Sequence, residues 1–360
     1  MRESLHGRLR ARTHMCVHRQ VRLFSPSKIN VFLRVTARRE DGFHDLASLF
    51  QVIDHGDHLE VAVDEGYAGP AGGDHRDGDT LLCDDRTIPT DGRNLIIKAF
   101  EEFRLRTGRS ERFIAHLDKR VHQGAGLGGG SANASTALYA ANELCGRVAA
   151  EGDLQDWSGS VGSDCPVFFS RGAAFCTGRG EVVVDLTPPP LGPSVPLLLV
   201  KPAAGLSTKQ IFQALRLESR SEADPEALLG ELAAAGDCEQ RLCVNDLEAP
   251  AFAVMPELGA LKTALQGNAR TCAARRVRRS APGADADERS PAGARPPGPA
   301  ESESGFSAVF MSGSGSTIVC AGSDRRPACL ADASSLGPLH VVRANFMTRG
   351  EGRWYEAPEV

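Results

Sequence analysis

The 360-residue chain has no apolar run close to the roughly 20 residues that a membrane-spanning helix needs; its longest, Val195–Val200, is six. It has no cysteine pair at C-x2-C spacing, and none of its ten scattered cysteines forms a Cys/His cluster with zinc-ligand spacing. In a chain of this length that scatter favours reduced thiols over a secreted disulfide framework. A strong field of one sign is also missing. The formal net charge of −5 excludes a general basic surface for recruiting polyanions. With 41% hydrophobic and 24% charged residues the chain is neither wholly disordered nor fibrous. Its length implies roughly two domains, with enough core to fold without staples. The one excess is glycine: 38 residues, against the ~7% of average usage.

Two segments stand apart in composition. Residues 1–24 carry six Arg against the single acid Glu3, which fits an organellar targeting segment without the apolar core of a secretory signal. A plain basic tail, or a start misassigned within a longer leader, fits equally well. Asn268–Ser304 is rich in Arg, Ala, Pro, Gly and Ser, with Val277 its single large aliphatic residue. It is expected to be a disordered insertion within a folded domain, because it buries too little apolar surface to offset its ordering entropy. Its basic run Arg275–Arg279 reads as a solvated loop rather than a nucleic-acid site. The leader contributes a net +5 and the insertion +2, which leaves the body near −12. Any phosphate site must therefore be local.

Along the body, alternation over Ile29–Val35 predicts a strand, and Leu46–Ile53 and His58–Val63 predict further apolar stretches. Asn94 is a candidate cap for a helix with Leu95, Ile96, Ala99, Phe100 and Phe103 on one face. Phe113–Val121 reads as a strand and Ser131–Leu144 as a helix. Pro188–Pro190 marks a boundary, giving domains 25–190 and 191–360. Strands at Leu197–Val200, Ala308–Met311, Thr317–Cys320 and His340–Ala344 follow, with helices near Thr208–Leu217, Pro225–Ala235 and Glu257–Leu265. Strands and helices alternate irregularly without internal repeat, so the expected class is α+β in two domains.

Five glycines fall in seven positions of GAGLGGG: Gly124, Gly126, Gly128, Gly129 and Gly130. The segment leaves a predicted strand and enters a predicted helix at Ser131. Glycine there lets the backbone turn and approach a ligand, while the free N–H groups of the helix start face it. That is an anion site suited to phosphate. Gly124-x-Gly126-x-x-Gly129 formally matches a dinucleotide fingerprint, but no apolar strand ending in an acid follows. A Walker loop needs Lys before Ser/Thr, and here Ser131 and Ala132 follow.

GAGLGGGSANAST (Gly124–Thr136) resembles the phosphate loop of GHMP kinases. Four further segments match in order: SPSKINVFLRVTARREDGFH (Ser25–His44), GSDCPVFF (Gly162–Phe169), VNDLE (Val244–Glu248) and MSGSGSTIV (Met311–Val319). Together they resemble the branch that acts on a cytidyl-linked erythritol, and the ending NFMTRGEGRWYEAP is most similar to plant-type members. The resemblance covers Ser25–Pro358 except the insertion.

It implies an S5-like amino-terminal domain, a ferredoxin-like carboxy-terminal domain and an active site between them. It further implies ATP-dependent phosphorylation of the 2-hydroxyl of 4-diphosphocytidyl-2-C-methyl-D-erythritol in the non-mevalonate isoprenoid pathway, in plastids or in a bacterial cytoplasm. By the same resemblance Asp164 is the catalytic base and Lys28 its paired lysine, a carboxylate and a cation suited to phosphoryl transfer to a neutral hydroxyl. Asn30, Phe43, His44 and Lys119 match substrate-contacting positions, and Phe43 suits stacking on cytosine. Thr208 resembles a threonine of the second domain that lies near the substrate, or caps a helix. Gly313, Ser314 and Gly315 either approach substrate phosphates or make a tight turn between strands. The loop hydroxyl of Ser131 is a candidate contact to the ATP phosphates or to Mg2+, and no acidic pair identifies a metal ligand. No nucleic acid, membrane or obligate protein partner is implied.

Two departures stand out: Phe43 where the family usually has Tyr, and His122 where it commonly has Pro. The alternatives are another GHMP kinase, against which the D-G-F-H segment beside Lys28 argues, and an inactive nucleotide-binding relative, against which intact Lys28, Asp164 and glycine loop argue.

Overall fold

Strands β1 (Gln20–Arg38) and β2 (His44–Val63) form a long antiparallel ribbon that pairs Lys28 with Val52. Its register shifts between Pro26 and Ser27 and again between Asn30 and Phe32. Such bulges re-aim side chains, and these two bracket Lys28 and Asn30. The computed structural model describes residues 19–64, 78–279, 305–330 and 337–358. Strand β1 begins at Gln20, inside the expected 1–24 leader, and Val21 and Leu23 pack against the first core.

Strands β3 (Thr80–Cys83), β4 (Phe113–Asp118), β5 (Ala173–Gly178) and β6 (Val182–Asp185) complete a six-stranded sheet of order β3-β4-β2-β5-β6, with β1 on β2. Helices α1 (Leu95–Thr107), α2 (Gly129–Leu144) and α3 (Glu151–Val161) cover it. Asn94 caps α1 as expected, its Oδ1 accepting from Ile96 N at 2.9 Å. Phe100, Phe103, Phe113 and Leu138 fill the core beneath.

A second, four-stranded sheet has the order β10-β7-β9-β8, from β7 (Pro196–Pro202), β8 (Ala308–Met311), β9 (Ile318–Ala321) and β10 (Leu339–Asn345). Along β7 the side chains alternate between two cores. Leu197 and Leu199 meet Ile29, Val31 and Phe32 of β1, whereas Leu198 and Val200 face helices α6 (Glu248–Val254) and α7 (Pro256–Arg279). Helices α4 (Thr208–Ala214) and α5 (Pro225–Ala235) complete this half.

Two expectations change. Helix α7 runs through Arg279, so residues 268–279 continue a helix rather than open a disordered insertion. Ala and Arg are strong helix formers, and low apolar content does not stop a helix already anchored by Leu258, Leu261 and Leu265. Residues 280–304 lie outside those described. The chain's end also leaves the second half. Trp354 and Tyr355 join the first core, Trp354 stacking on Tyr139 at 4.7 Å and donating from Nε1 to Phe24 O. Large apolar rings gain most where a core can enclose them.

Candidate active site

A cavity of about 1340 Å³ opens between the two sheets. The strand β4 and helix α2 flanking the glycine cluster form its floor. Gly124, Gly126 and Gly128 all have positive φ (61°, 74° and 66°). Gly126 packs so tightly that a Cβ would run into the Ser312 carbonyl, and a Cβ on Gly128 would lie 2.8 Å from Lys28 Cε. Gly128 is the N-cap of α2 and has no side chain to occupy the helix start. Backbone N–H groups there remain available to a phosphate. Ser131, in the first turn, borders the same space.

The carboxy-terminal glycine motif docks onto this loop. Ser312 Oγ donates to Gly126 O at 3.0 Å, and Ser316 N and Thr317 N donate to Gly124 O and Ala125 O at 3.2 Å each. Asn245 holds the same motif from behind, its Nδ2 donating to Met311 O at 2.7 Å and Gly313 O at 2.8 Å. Gly313, Ser314 and Gly315 thus form the second wall of the cavity rather than a mere connection between strands. Thr208 meets that wall through a 2.8 Å bond to Ser314 Oγ. The N-cap of α4 is Ser207, so Thr208 is not the cap.

Lys28 is 3% exposed. Its Nζ lies 2.7 Å from Asn30 Oδ1, 3.4 Å from Gly126 O, 3.5 Å from Asp164 Oδ2 and 4.6 Å from the centre of the Phe50 ring. Asn30 is fixed in turn by Ser48 Oγ at 2.8 Å. Burial pulls the Lys28 ammonium below its ordinary pKa, and Asp164 opposes that pull. Asp164 stands before the short turn Pro166–Phe169 with its side chain 36% exposed to the cavity. A buried cation beside a half-open carboxylate can orient and deprotonate a hydroxyl and then face the developing charge.

At the far end, Phe43 on the β1–β2 turn is 57% exposed, with the Arg179 guanidinium 5.4 Å from its ring centre. His44 stacks on Phe212 of α4 at 5.3 Å, and burial, helped by Arg38, lowers its pKa. Lys119 sits instead under the glycine loop, paired with the buried Asp57 at 2.5 Å; a Cβ on Gly129 would lie 3.1 Å from its Nζ. Lys28, Asn30, Phe43, His44, Lys119, Ser131, Asp164 and Thr208 therefore border one cavity. His122 turns to His340 of β10, ring centres 3.9 Å apart, and so ties the approach to the loop onto the second sheet. Sequence reading missed Phe212 and Arg179, and it placed Asn245 within VNDLE without giving it a role. Phe212 follows Thr208 by one helical turn, and Arg179 lies between two glycines, but neither spacing is distinctive alone.

The profile of the GHMP kinases N terminal domain matches residues 94–172. The chain is 45% identical over 339 residues to the chloroplastic 4-diphosphocytidyl-2-C-methyl-D-erythritol kinase of Arabidopsis thaliana, covering 94% of this chain and 77% of that one. It is 36% identical over 335 residues to the enzyme of the same name from Protochlamydia amoebophila, covering 93% of each. Among solved structures, a 4-(cytidine 5'-diphospho)-2C-methyl-D-erythritol kinase at 25% identity superposes with a TM-score of 0.61 over 90% of this chain and 99% of that one. A homoserine kinase from Cytophaga hutchinsonii gives 0.61 at 15% identity, over 94% of this chain and 98% of that one, a likeness of fold alone. With its two α+β halves, its glycine loop and these relatives, the chain belongs to the 4-diphosphocytidyl-2-C-methyl-D-erythritol kinase family of GHMP kinases.

Proposed function

We propose that this protein transfers the γ-phosphoryl group of ATP to the 2-hydroxyl of 4-diphosphocytidyl-2-C-methyl-D-erythritol. The observation that carries this reading is the placement of Lys28 and Asp164, 3.5 Å apart, beside the glycine loop at one end of a cavity whose other end presents Phe43 and His44. In this reading Asp164 accepts the hydroxyl proton as the γ-phosphorus is attacked, Lys28 holds the carboxylate and faces the transferring group, and the N-terminus of α2 takes the polyphosphate. Asn30 fixes Lys28, and the Gly313–Gly315 wall closes the phosphate side. Phe43 stacks on cytosine and His44 reads its polar edge.

Mg2+ fits the phosphate end. Among the described residues no cluster of three His, Cys, Asp or Glu could grip an ion alone. Ser131 and Asp164 border the loop, and they offer the one or two protein oxygens that a phosphate-held Mg2+ takes. When bound, the ion neutralises charge on the phosphates.

Plant relatives are named chloroplastic, which with the basic first residues supports a plastid and, we propose, its stroma. No helix of the described residues is long and apolar enough to cross a membrane. The test is turnover: purified protein with ATP, Mg2+ and the cytidyl substrate releases ADP stoichiometrically with a phosphorylated product. Phosphorylation of homoserine or mevalonate in its place overturns the assignment.

A further inference from the structure

Arg179 lies on the hairpin between β5 and β6 and borders the cavity. Its guanidinium sits 5.4 Å from the Phe43 ring centre. The next residue approaches the reacting end, because a Cβ on Gly180 would lie 3.7 Å from Asp164 Oδ1. A single backbone step thus spans from the exposed ring to the carboxylate. A cytidyl-linked polyol has the same order: a base, a ribose, two phosphates and then the alcohol.

We propose that Arg179 receives the substrate's diphosphate and so sets the register between base and reacting hydroxyl. This rests on the reading of Phe43 and His44 as the cytosine end. Three of the other cations at the cavity are committed elsewhere, while Arg38, Lys209 and Arg216 also border it. Lys28 is buried against Asp164 and Asn30, Lys119 against Asp57, and Arg93 forks onto Asp91. Arg179 holds Glu181 at 3.5 Å, but unlike in the buried lysine pairs both side chains are exposed, at 44% and 33%. A pair so exposed contributes little, so the guanidinium can turn to phosphate at small cost. Its planar fork suits phosphate oxygens, and the Phe43 ring presents it toward the cavity.

The test uses cytidine and CDP as inhibitors competitive with the cytidyl substrate. In the parent enzyme CDP is expected to bind about tenfold tighter than cytidine, as charge-assisted contacts imply. Arg179→Gln should reduce that ratio to about two, leave the cytidine constant and the KM for ATP within about twofold, and raise the KM for the cytidyl substrate by about tenfold. Arg179→Lys should give an intermediate ratio. An unchanged CDP-to-cytidine ratio, whether both weaken together or neither moves, overturns the proposal and leaves Arg179 as a prop for Phe43. Failure of cytidine to compete in the parent enzyme overturns the cytosine reading itself, and the proposal with it.

Discussion

At one end of the cavity the Lys28 ammonium is enclosed by Asn30, the Gly126 carbonyl, Asp164 and the Phe50 ring, whereas at the other the Phe43 ring stands 57% exposed beneath a mobile-length guanidinium. The first end is bonded before any ligand arrives; the second has surface still to bury. Transferring charge rewards groups already fixed in a dry setting, because no reorganisation is then needed during reaction. Recognition of a flat base rewards an open ring, because binding itself supplies the apolar burial. In the proposed reading, rigidity therefore sits where bonds change and openness where identity is read.

Breaking the enclosed end should have the largest effect. Asp164→Asn is expected to lower kcat by about 10³-fold while ATP affinity, followed by calorimetry, holds within about twofold. Retention of a tenth of the parent kcat would place proton transfer elsewhere. The same end should show in the pH profile. Since burial lowers the Lys28 pKa, the cation is lost as pH rises through a value below the ordinary lysine range. Turnover should accordingly decline on that alkaline limb, and Lys28→Arg, if active, should lack it.

Gly126→Ala forces a side chain into the left-handed region and against the Ser312 carbonyl. It should cost about 2 kcal/mol or more of stability, read by denaturant unfolding, and most of the turnover with it. A variant of parental stability would show that the two glycine motifs do not dock as described. At the open end Phe43→Ala should raise the KM for the cytidyl substrate by about tenfold with kcat nearly unchanged. Phe43→Tyr, the smallest change, should shift KM by less than about twofold; a large gain from the added hydroxyl would mean that this end is tuned by a hydrogen bond rather than by stacking.

Much of the enclosed end was legible from residues alone. Clustered glycine between a strand and a helix has few explanations, and Lys28 and Asp164 sit in segments that resemble a known order of motifs. Their neighbours were harder to read. Asn245 acts on carbonyls 66 and 68 positions away, a pairing that no local period reveals. Helix α3 buries chiefly Leu154 and Ser158, too narrow a stripe to stand out beside Gly152 and Gly159. Strand β5 begins with Ala173 and Ala174 and ends at Gly178, so Phe175 and Thr177 are its only strand-favouring residues. The helical reach of 268–279 was hidden because composition reports what a segment can bury, not what already anchors its start.

The return of the tail to the first core has a consequence for biosynthesis. Arg349 donates from Nε to Ser170 O at 2.8 Å and pairs with Glu151, and the Tyr355 hydroxyl bonds Ser170 O at 2.9 Å, close behind the turn that carries Asp164. On a ribosome, the amino-terminal half emerges long before Trp354 and Tyr355 exist. It must wait, with part of its core open to water, until the second half has been made. The turn that carries Asp164 is thus buttressed by residues made only after the whole second sheet, and the cavity gains its shape once both halves have been synthesised.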